Sequence, residues 1–270
     1  MKPRPFDYAR PDTVEETVAL LAEHGDDARI LAGGQSLMAM MNLRLADPAM
    51  LIDIARIAEL SHIRDLGETI EVGAAVTQNT LLAWQHLKSK LPLLAAALPH
   101  VGHFQTRNKG TVCGSIAHAD PSSEIPLSLA VLQGEVVLKS KRGERVLKAA
   151  DFQKDMLTTA READELIVAV RFPVHGRGAA FNEVARRHGD FAMVAIAVTT
   201  DGKGNTRLGV GGVASTPVVR SINGSAKDAV EKLANELEGY DDLHASAELR
   251  KDILRNLAPL VIAEAEQCAA

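Results

Sequence analysis

The segment Ala28-Arg-Ile-Leu-Ala-Gly-Gly-Gln-Ser-Leu37 decides the fold, because it carries a short apolar run directly into two adjacent glycines. The apolar run at 28–32 predicts a strand, and the spacing of Leu and Met over 36–44 predicts a helix. A second apolar run at 50–54 predicts another strand. The order strand, glycine turn, helix, strand predicts one compact β–turn–α–β unit, with the glycines where strand becomes helix.

Further strands are predicted on both sides of a break that is rich in proline and glycine. The alternating segments at 69–75, 135–139, 145–148 and 165–172 precede residues 173–178, Pro-Val-His-Gly-Arg-Gly, which is the best boundary candidate in the chain. After it, residues 179–185, 192–200 and 207–213 predict three strands. Two helices, at 226–237 and 247–266, are predicted to follow. The chain therefore divides into a larger first part and a smaller second part.

The composition excludes several classes of function. Aromatic residues make up 3% of the 270 residues, too few for a platform on which nucleic-acid bases stack. The net charge of −5 gives no overall basic footprint for nucleic acid. The two cysteines, Cys113 and Cys268, are too few for a disulfide scaffold or for a four-cysteine metal or iron–sulfur site.

The chain shows no targeting or membrane signal in its sequence. The start, Met1-Lys-Pro-Arg-Pro-Phe6, lacks the apolar core of a signal peptide. No stretch reaches the roughly 20 apolar residues that cross a bilayer as a helix. We therefore expect a cytoplasmic protein with no membrane span.

The first glycine loop, Leu31-Ala-Gly-Gly-Gln-Ser-Leu37, is a candidate anion site. Adjacent glycines permit positive φ and let a ligand approach the backbone closely. Free amides at such a turn, together with the start of the following helix, suit a phosphate or pyrophosphate. The alternative is a plain turn after a strand. The loop is not a P-loop, because no Gly-Lys-Ser or Gly-Lys-Thr follows.

The second glycine-rich loop runs from Gly110 to Glu124. It offers two glycines, hydroxyls on Thr111, Ser115 and Ser122, and two carboxylates, which suits a polyhydroxyl chain joined to a phosphate. The alternative is a surface loop with two helix caps. We predict loop with short helical turns over residues 104–126.

A third glycine cluster, Gly209-Val-Gly-Gly-Val-Ala214, formally fits the dinucleotide fingerprint G-x-G-x-x-A. A helix should open at the third glycine of that fingerprint. Pro217 and two β-branched valines follow instead, so the context is wrong. The segment is interpreted as a strand whose glycines permit close packing or border a cofactor.

Four segments together resemble the FAD-binding medium subunits of molybdenum hydroxylases of the carbon monoxide dehydrogenase and xanthine dehydrogenase type. They are residues 32–37 with 51–54, residues 105–124, residues 185–194 and residues 208–214, in order and at the family's spacing. The resemblance implies an α+β fold. It consists of a two-part FAD-binding domain of the vanillyl-alcohol-oxidase (PCMH) type at 1–173, with subdomains of about 1–57 and 58–173. A small α+β domain with a three-stranded antiparallel sheet follows at 178–270.

The resemblance also implies the contacts to FAD. The first loop would wrap the pyrophosphate with backbone amides, residues 111–115 would run along pyrophosphate and flavin, and Glu124 would reach the ribityl hydroxyls. Ile167 would lie near the adenine or the flavin edge, and Phe191 beside the isoalloxazine ring. The full implied set is Leu31, Ala32, Gly33, Gly34, Gln35, Ser36, Leu37, Gly110, Thr111, Cys113, Gly114, Ser115, His118, Glu124, Ile167 and Phe191.

Cys113 departs from the family pattern, which usually has a second glycine at this position. If the position needs positive φ, a cysteine costs on the order of 1–2 kcal/mol. Either the backbone is ordinary there, or flavin affinity is weakened. A Cys–His nucleophile with His118 is not supported, because no carboxylate stands at the spacing that would orient the histidine. No metal site is predicted on this chain.

The function that the resemblance implies is electron transfer rather than substrate chemistry. The chain would bind FAD non-covalently and accept electrons from a small [2Fe-2S] subunit. The molybdenum cofactor would sit on a large subunit, and the whole would be a dimer of heterotrimers. Electrons would leave to NAD, oxygen or another acceptor. Two alternatives remain: a self-sufficient FAD oxidoreductase of the same fold, and an interaction subunit that has lost its flavin.

Overall fold

The computed structural model describes residues 2–269. Its strands, in chain order, are β1 Asp7–Ala9, β2 Ala28–Leu31, β3 Met50–Asp53, β4 Ile63–Asp65, β5 Thr69–Gly73, β6 Glu135–Ser140, β7 Gly143–Lys148, β8 Gln153–Asp155, β9 Thr158–Thr159, β10 Leu166–Pro173, β11 Ala179–Val184, β12 Val194–Thr200, β13 Thr206–Gly211 and β14 Val218–Ile222. The α-helices are α1 Val14–His24, α2 Leu37–Asn42, α3 Gln78–Leu82, α4 Leu87–Lys90, α5 Pro92–Ala97, α6 Phe104–Arg107, α7 Val112–His118, α8 Glu124–Val131, α9 Ala149–Phe152, α10 Ala226–Glu236 and α11 Ala247–Ala269.

The first sheet is parallel, in the order β1-β3-β2, and confirms the predicted β–turn–α–β unit. The first glycine loop leaves the carboxyl end of β2 and enters α2. Leu31 pairs with Asp53 at this edge, so the loop starts where the carboxyl ends of neighbouring strands meet. Such an edge is where ligands bind in many α/β folds.

The second sheet is antiparallel, in the order β4-β5-β10-β6-β7. The segments predicted at 135–139 and 145–148 form a hairpin of β6 and β7. Helices α5, α7 and α8 contribute buried apolar residues to the same core as β5, β6 and β10. The second glycine-rich loop begins before α7 and ends at α8, so it is anchored at both ends on this core.

The C-terminal sheet has four antiparallel strands, in the order β11-β12-β13-β14, so the prediction of three strands is wrong. The missed strand is β14, in which Val218 pairs with Val210 and Ile222 with Thr206. Its β-branched valines, which disfavour a helix, are also typical of a strand. Helices α10 and α11 share a separate apolar core with this sheet.

The glycine cluster at 209–212 is a packing device and not a dinucleotide fingerprint. A Cβ on Gly209 would lie 2.2 Å from the Val131 side chain, so only glycine lets β13 approach α8 this closely. Gly212 has φ +77° and donates its N–H to the carbonyl of Pro121 at 2.9 Å. The C-terminal sheet is therefore fastened directly to the second glycine-rich loop.

Among residues 2–269, no helix is both long enough and apolar enough to cross a membrane.

Candidate functional site

The two predicted loops meet backbone to backbone. A Cβ on Gly33 would lie 2.1 Å from the carbonyl oxygen of Lys109 and 2.7 Å from Cα of Gly110. Such distances are far below any real contact, so the absence of a side chain at Gly33 is what brings the loops together. A Cβ on Gly110 would in turn lie 3.1 Å from Oε1 of Gln78, so this position also has little room for a side chain. The structure thus joins two segments that the sequence placed far apart.

The first loop presents backbone amides that the protein does not use. Among the hydrogen bonds of the described residues, none has the N–H of Gly33, Gly34, Gln35, Ser36 or Leu37 as donor. Gly34 has φ +69°, a left-handed conformation that suits glycine. Successive free N–H groups at a strand-to-helix turn fit a diphosphate, which is rich in acceptor oxygens and lacks donors.

The second loop is more helical than the prediction of loop with short turns. Helix α7 begins with Thr111 as its cap, and the Gly114 N–H donates to the Thr111 hydroxyl at 2.9 Å. The helix ends at Ala119, which has φ +54°. A Cβ on Gly114 would meet that same hydroxyl at 2.7 Å, so the glycine keeps the cap intact. Gly114 and Ser115 are half-buried at the start of this helix.

Cys113 has an ordinary helical backbone, which decides between the two readings of its departure from the family pattern. It lies in the first turn of α7 and is not among the residues with positive φ. Its thiol is buried and donates to the carbonyl of Val72 at 3.5 Å. Burial raises the pKa of this thiol well above its usual range, so the thiolate is disfavoured. Cys113 is a packing residue, without the strain that a left-handed position would impose.

We expect one reactive thiol in the folded chain. Cys268 is exposed and Cys113 is buried, and the thiolate is the reactive form of a cysteine. Titration with a thiol reagent at pH 8 should modify Cys268 quickly in the native protein and modify both residues in guanidinium chloride. A Cys268→Ser variant should then be almost inert while folded. Rapid modification of that folded variant would contradict the buried placement of Cys113.

Glu124 is the buried carboxyl group of the second loop. It lies at the start of α8, is 6% exposed, and apart from its own backbone N–H receives no hydrogen bond from the described residues. Burial, with smaller contributions from the charges of Glu183 and Asp120, raises its pKa to about 8. At neutral pH this residue is therefore mostly the uncharged acid, with an O–H donor and a carbonyl acceptor for which residues 2–269 supply no other side-chain partner.

The stability of the FAD-free chain should fall as pH rises from about 4.5 towards about 8 because of Glu124. The folded state holds a proton on Glu124 in this range, whereas the unfolded state has released it. The contribution is thus fully present at low pH and is lost as pH passes through the folded pKa. Glu124→Gln should remove up to about 1.4 kcal/mol per pH unit of this slope in urea unfolding between pH 5.5 and 8.5. An unchanged slope in the variant would show that Glu124 ionises normally.

Three predicted contact residues lie at different depths. Ile167 is buried in β10, beside an irregularity in the pairing with β6, and β10 packs on α7. His118 is half-buried at the last turn of α7. Phe191 lies on the loop between β11 and β12 and is 62% exposed. The contacts of these residues with a flavin stay predictions.

Glu183 and Arg250 are among the charged residues with buried side chains that the sequence did not predict. Glu183 packs inward against His100, and Arg250 of α11 binds the carbonyls of Met193 and Gly212. A signal for Glu183 was present, because alternation along β11 puts it on the same face as buried Phe181. Arg250 carried no signal, since a lone arginine on a helix is usually exposed. Within the described residues, no cluster of His, Cys, Asp or Glu could hold a metal ion.

Comparison with known proteins places this geometry in a family. Residues 4–175 match the family described as FAD binding domain in molybdopterin dehydrogenase. The chain is 44% identical over 201 residues to caffeine dehydrogenase subunit beta of Pseudomonas sp. (strain CBB1), covering 73% of this chain and 68% of that protein. It is 37% identical over 267 residues to the carbon monoxide dehydrogenase medium chain of Hydrogenophaga pseudoflava, covering 93% of each.

A solved structure of quinoline 2-oxidoreductase from Pseudomonas putida 86 superposes with a TM-score of 0.93 at 34% identity, covering 100% of this chain and 99% of that one. The relatives are named as subunits and medium chains, which makes them parts of multi-subunit oxidoreductases. The family match covers more than half of the chain, and the joined glycine loops lie within it. The chain therefore belongs to the FAD-binding subunits of the molybdopterin dehydrogenase family.

Proposed function

We propose that this chain binds FAD non-covalently and passes electrons from the [2Fe-2S] clusters of a small partner subunit to an external acceptor. The observation that carries the proposal is the contact of Gly33 with Lys109 and Gly110. This contact sets the unused amides of the first loop next to Gly110, where the second loop with its hydroxyls and its unpartnered carboxyl begins. A diphosphate joined to a polyhydroxyl chain needs these two kinds of group next to each other.

The residues present fit the cofactor. The first loop, Leu31 to Leu37, would bind the diphosphate, and Gly110, Thr111, Cys113, Gly114 and Ser115 would present the backbone along which the cofactor lies. Glu124 would reach the ribityl hydroxyls, with His118, Ile167 and Phe191 at the flavin. FAD, when bound, supplies the capacity to take electrons singly and release them in pairs. The chain's own residues would bind and orient the cofactor.

We propose that the molybdenum cofactor resides on a large partner subunit and that the complex is a dimer of heterotrimers. The names of the relatives support separate large, medium and small chains, as in the carbon monoxide dehydrogenase medium chain. A cytoplasmic location and the vanillyl-alcohol-oxidase (PCMH) type of the FAD domain stay predictions. The flavin-free alternative rested on Cys113, and the ordinary backbone at that residue removes its support.

Purification of the chain alone and together with its large and small partner subunits tests the proposal. We expect a yellow protein in at least one preparation, with one FAD released per chain by acid and none retained covalently. Flavin absorbance should bleach when substrate reduces the assembled complex and should not bleach when the small subunit is omitted. A colourless protein in both preparations would overturn the proposal, and bleaching without the small subunit would favour the self-sufficient oxidoreductase.

A further inference from the structure

The loop between β11 and β12 meets the first part of the chain at a contact between two glycines. A Cβ on Gly189 would lie 3.0 Å from the carbonyl carbon of Gly102 and 3.1 Å from its oxygen. The same Cβ would lie 2.9 Å from Cε1 of His103, and the rings of His103 and His188 are 6.1 Å apart. Gly189 also has φ +84°. The two parts of the chain therefore approach each other here backbone to backbone.

The segment that Gly189 touches is held in place by α6. Nη1 of Arg107, the last residue of α6, donates to the carbonyls of Val101 and Gly102, each at 2.9 Å. On its other side, a Cβ on Gly102 would lie 3.2 Å from the Thr106 side chain, so this backbone already packs closely on the helix. Because the carbonyl facing Gly189 is fixed in this way, a side chain at Gly189 would displace the loop between β11 and β12.

Helix α6 also connects this contact to the joined glycine loops. The carbonyl of Thr106 accepts the N–H of Gly110 at 2.7 Å, and a Cβ on Gly33 would lie 2.7 Å from Cα of Gly110. A continuous series of contacts therefore runs from Gly33 through α6 to Gly189. Phe191 lies two residues beyond Gly189, and its ring is 62% exposed. Burial of such a ring against a flat ligand is favourable.

We propose that Gly189 is a positioning residue, whose contact with Gly102 holds the ring of Phe191 against the isoalloxazine ring of bound FAD. The second part of the chain then supplies one wall of the flavin site, outside the residues 4–175 that match the family. Aromatic rings interact over a narrow range of separations, about 4.5–7 Å between centroids, so a small shift of the loop is enough to lose the contact. This inference rests on the proposed binding of FAD.

Gly189→Ala should weaken FAD binding, and Gly224→Ala is its matched control. Gly224 has nearly the same φ, +83°, but a Cβ on it would meet nothing within 4 Å. Both variants place an alanine at positive φ, whereas only Gly189→Ala presses on a neighbouring backbone. FAD is titrated into the FAD-free chain, in whichever preparation takes it up. We expect roughly three- to tenfold weaker binding for Gly189→Ala and a change below about twofold for Gly224→Ala.

A double-mutant cycle with Phe191→Ala tests whether Gly189 acts through this ring. Phe191→Ala alone should weaken FAD binding by a factor similar to that of Gly189→Ala. If the glycine acts by placing the ring, adding Gly189→Ala to Phe191→Ala should lower the affinity little further. A merely structural role for Gly189 would instead give losses that add in free energy, and additive losses would overturn the proposal.

Phe191→Trp adds a spectroscopic signature of the placement. An indole in contact with a flavin quenches its fluorescence by electron transfer. The flavin emission of the loaded Phe191→Trp variant should therefore fall severalfold below that of the wild type and should recover when Gly189→Ala is added. Leu243→Trp, at a side chain that is 97% exposed between α10 and α11, is the control and should leave the emission unchanged. Wild-type emission in Phe191→Trp would overturn the proposal, even if Gly189→Ala did not fold.

Trypsin gives a readout that needs no cofactor. Arg186 and Arg187 are exposed on the loop between β11 and β12, so release of this loop should expose them to cleavage. Gly189→Ala should be cut there faster than the wild type and Gly224→Ala, and equal rates would show that the glycine contact does not hold the loop. If the wild type takes up no FAD, the proposed function fails, while the cleavage rates still test the contact itself.

Discussion

Gly33→Ala is expected to abolish FAD binding at micromolar concentrations while leaving most of the chain folded. The new Cβ would lie 2.1 Å from the carbonyl oxygen of Lys109, and both groups belong to backbone, so neither moves without displacing its loop. Relief of the clash separates the first loop from the second and splits the site. Overpacking of this kind costs about 1–3 kcal/mol of folding free energy. Flavin fluorescence titration and thermal unfolding measure the two effects.

Gly176→Ala is the matched control. A Cβ at Gly176 would meet nothing within 4 Å, and its φ is not positive, so we expect unchanged FAD affinity and equal or slightly higher stability. If Gly33→Ala bound FAD within threefold of the wild type, the contact of the two loops would not matter for the site. The proposal that the loops act together would then be wrong.

Arg250→Met is expected to cost about 3–5 kcal/mol, the range found when one partner of a buried ionic network is removed. Nη1 of Arg250 donates to the carbonyls of Met193 at 2.6 Å and Gly212 at 2.8 Å. Nη2 pairs with Asp242 at 2.7 Å, and the guanidinium lies 4.3 Å from the centre of the Tyr240 ring. Methionine fills part of the volume but leaves two buried carbonyls without donors. Such a loss is a large share of a typical stability of 5–15 kcal/mol.

Urea unfolding followed by circular dichroism measures this change, with Arg220→Met as the control. Arg220 is about half exposed and lies 3.9 Å from Glu236, so its loss should cost less than about 1 kcal/mol. Gly212, whose carbonyl Arg250 holds, donates its own N–H to Pro121 in the second loop. Arg250→Met should therefore also weaken FAD binding. Equal losses of unfolding free energy in the two variants would show that the buried network of Arg250 stabilises the fold no more than an exposed ion pair does.

The sequence predicted the glycine loops well because their signal is local. Two glycines between a strand and a helix, or a threonine before a helix, act through neighbouring residues, so order along the chain is enough to find them. The contact between Gly33 and Lys109 could not be predicted in this way. Nothing near either residue specifies how far apart two distant loops lie after folding. For Gly209 the sequence predicted close packing as one of two roles, but it could not predict that the partner would be Val131.

The features that the sequence did not predict also depend on contacts or conformations that neighbouring residues do not specify. Strand β14 was not predicted because two valines after a proline disfavour a helix without specifying a strand, and its strand conformation depends on its pairing with β13. The two readings of Cys113 remained open because backbone conformation does not follow from residue type alone. Glu183 was overlooked because burial of a carboxylate depends on what the other part of the chain places opposite it, here His100.

The hydrogen bond from Gly212 to Pro121 has a consequence for how the protein is made. During synthesis the chain emerges from its amino end, and the second loop is complete long before the strands that fasten it exist. Contacts between residues far apart in sequence also form late, because the intervening chain must first be ordered. We therefore expect cofactor loading to be a late event in biogenesis, because a chain cut short anywhere before β13 would lack the strand that fastens the second loop.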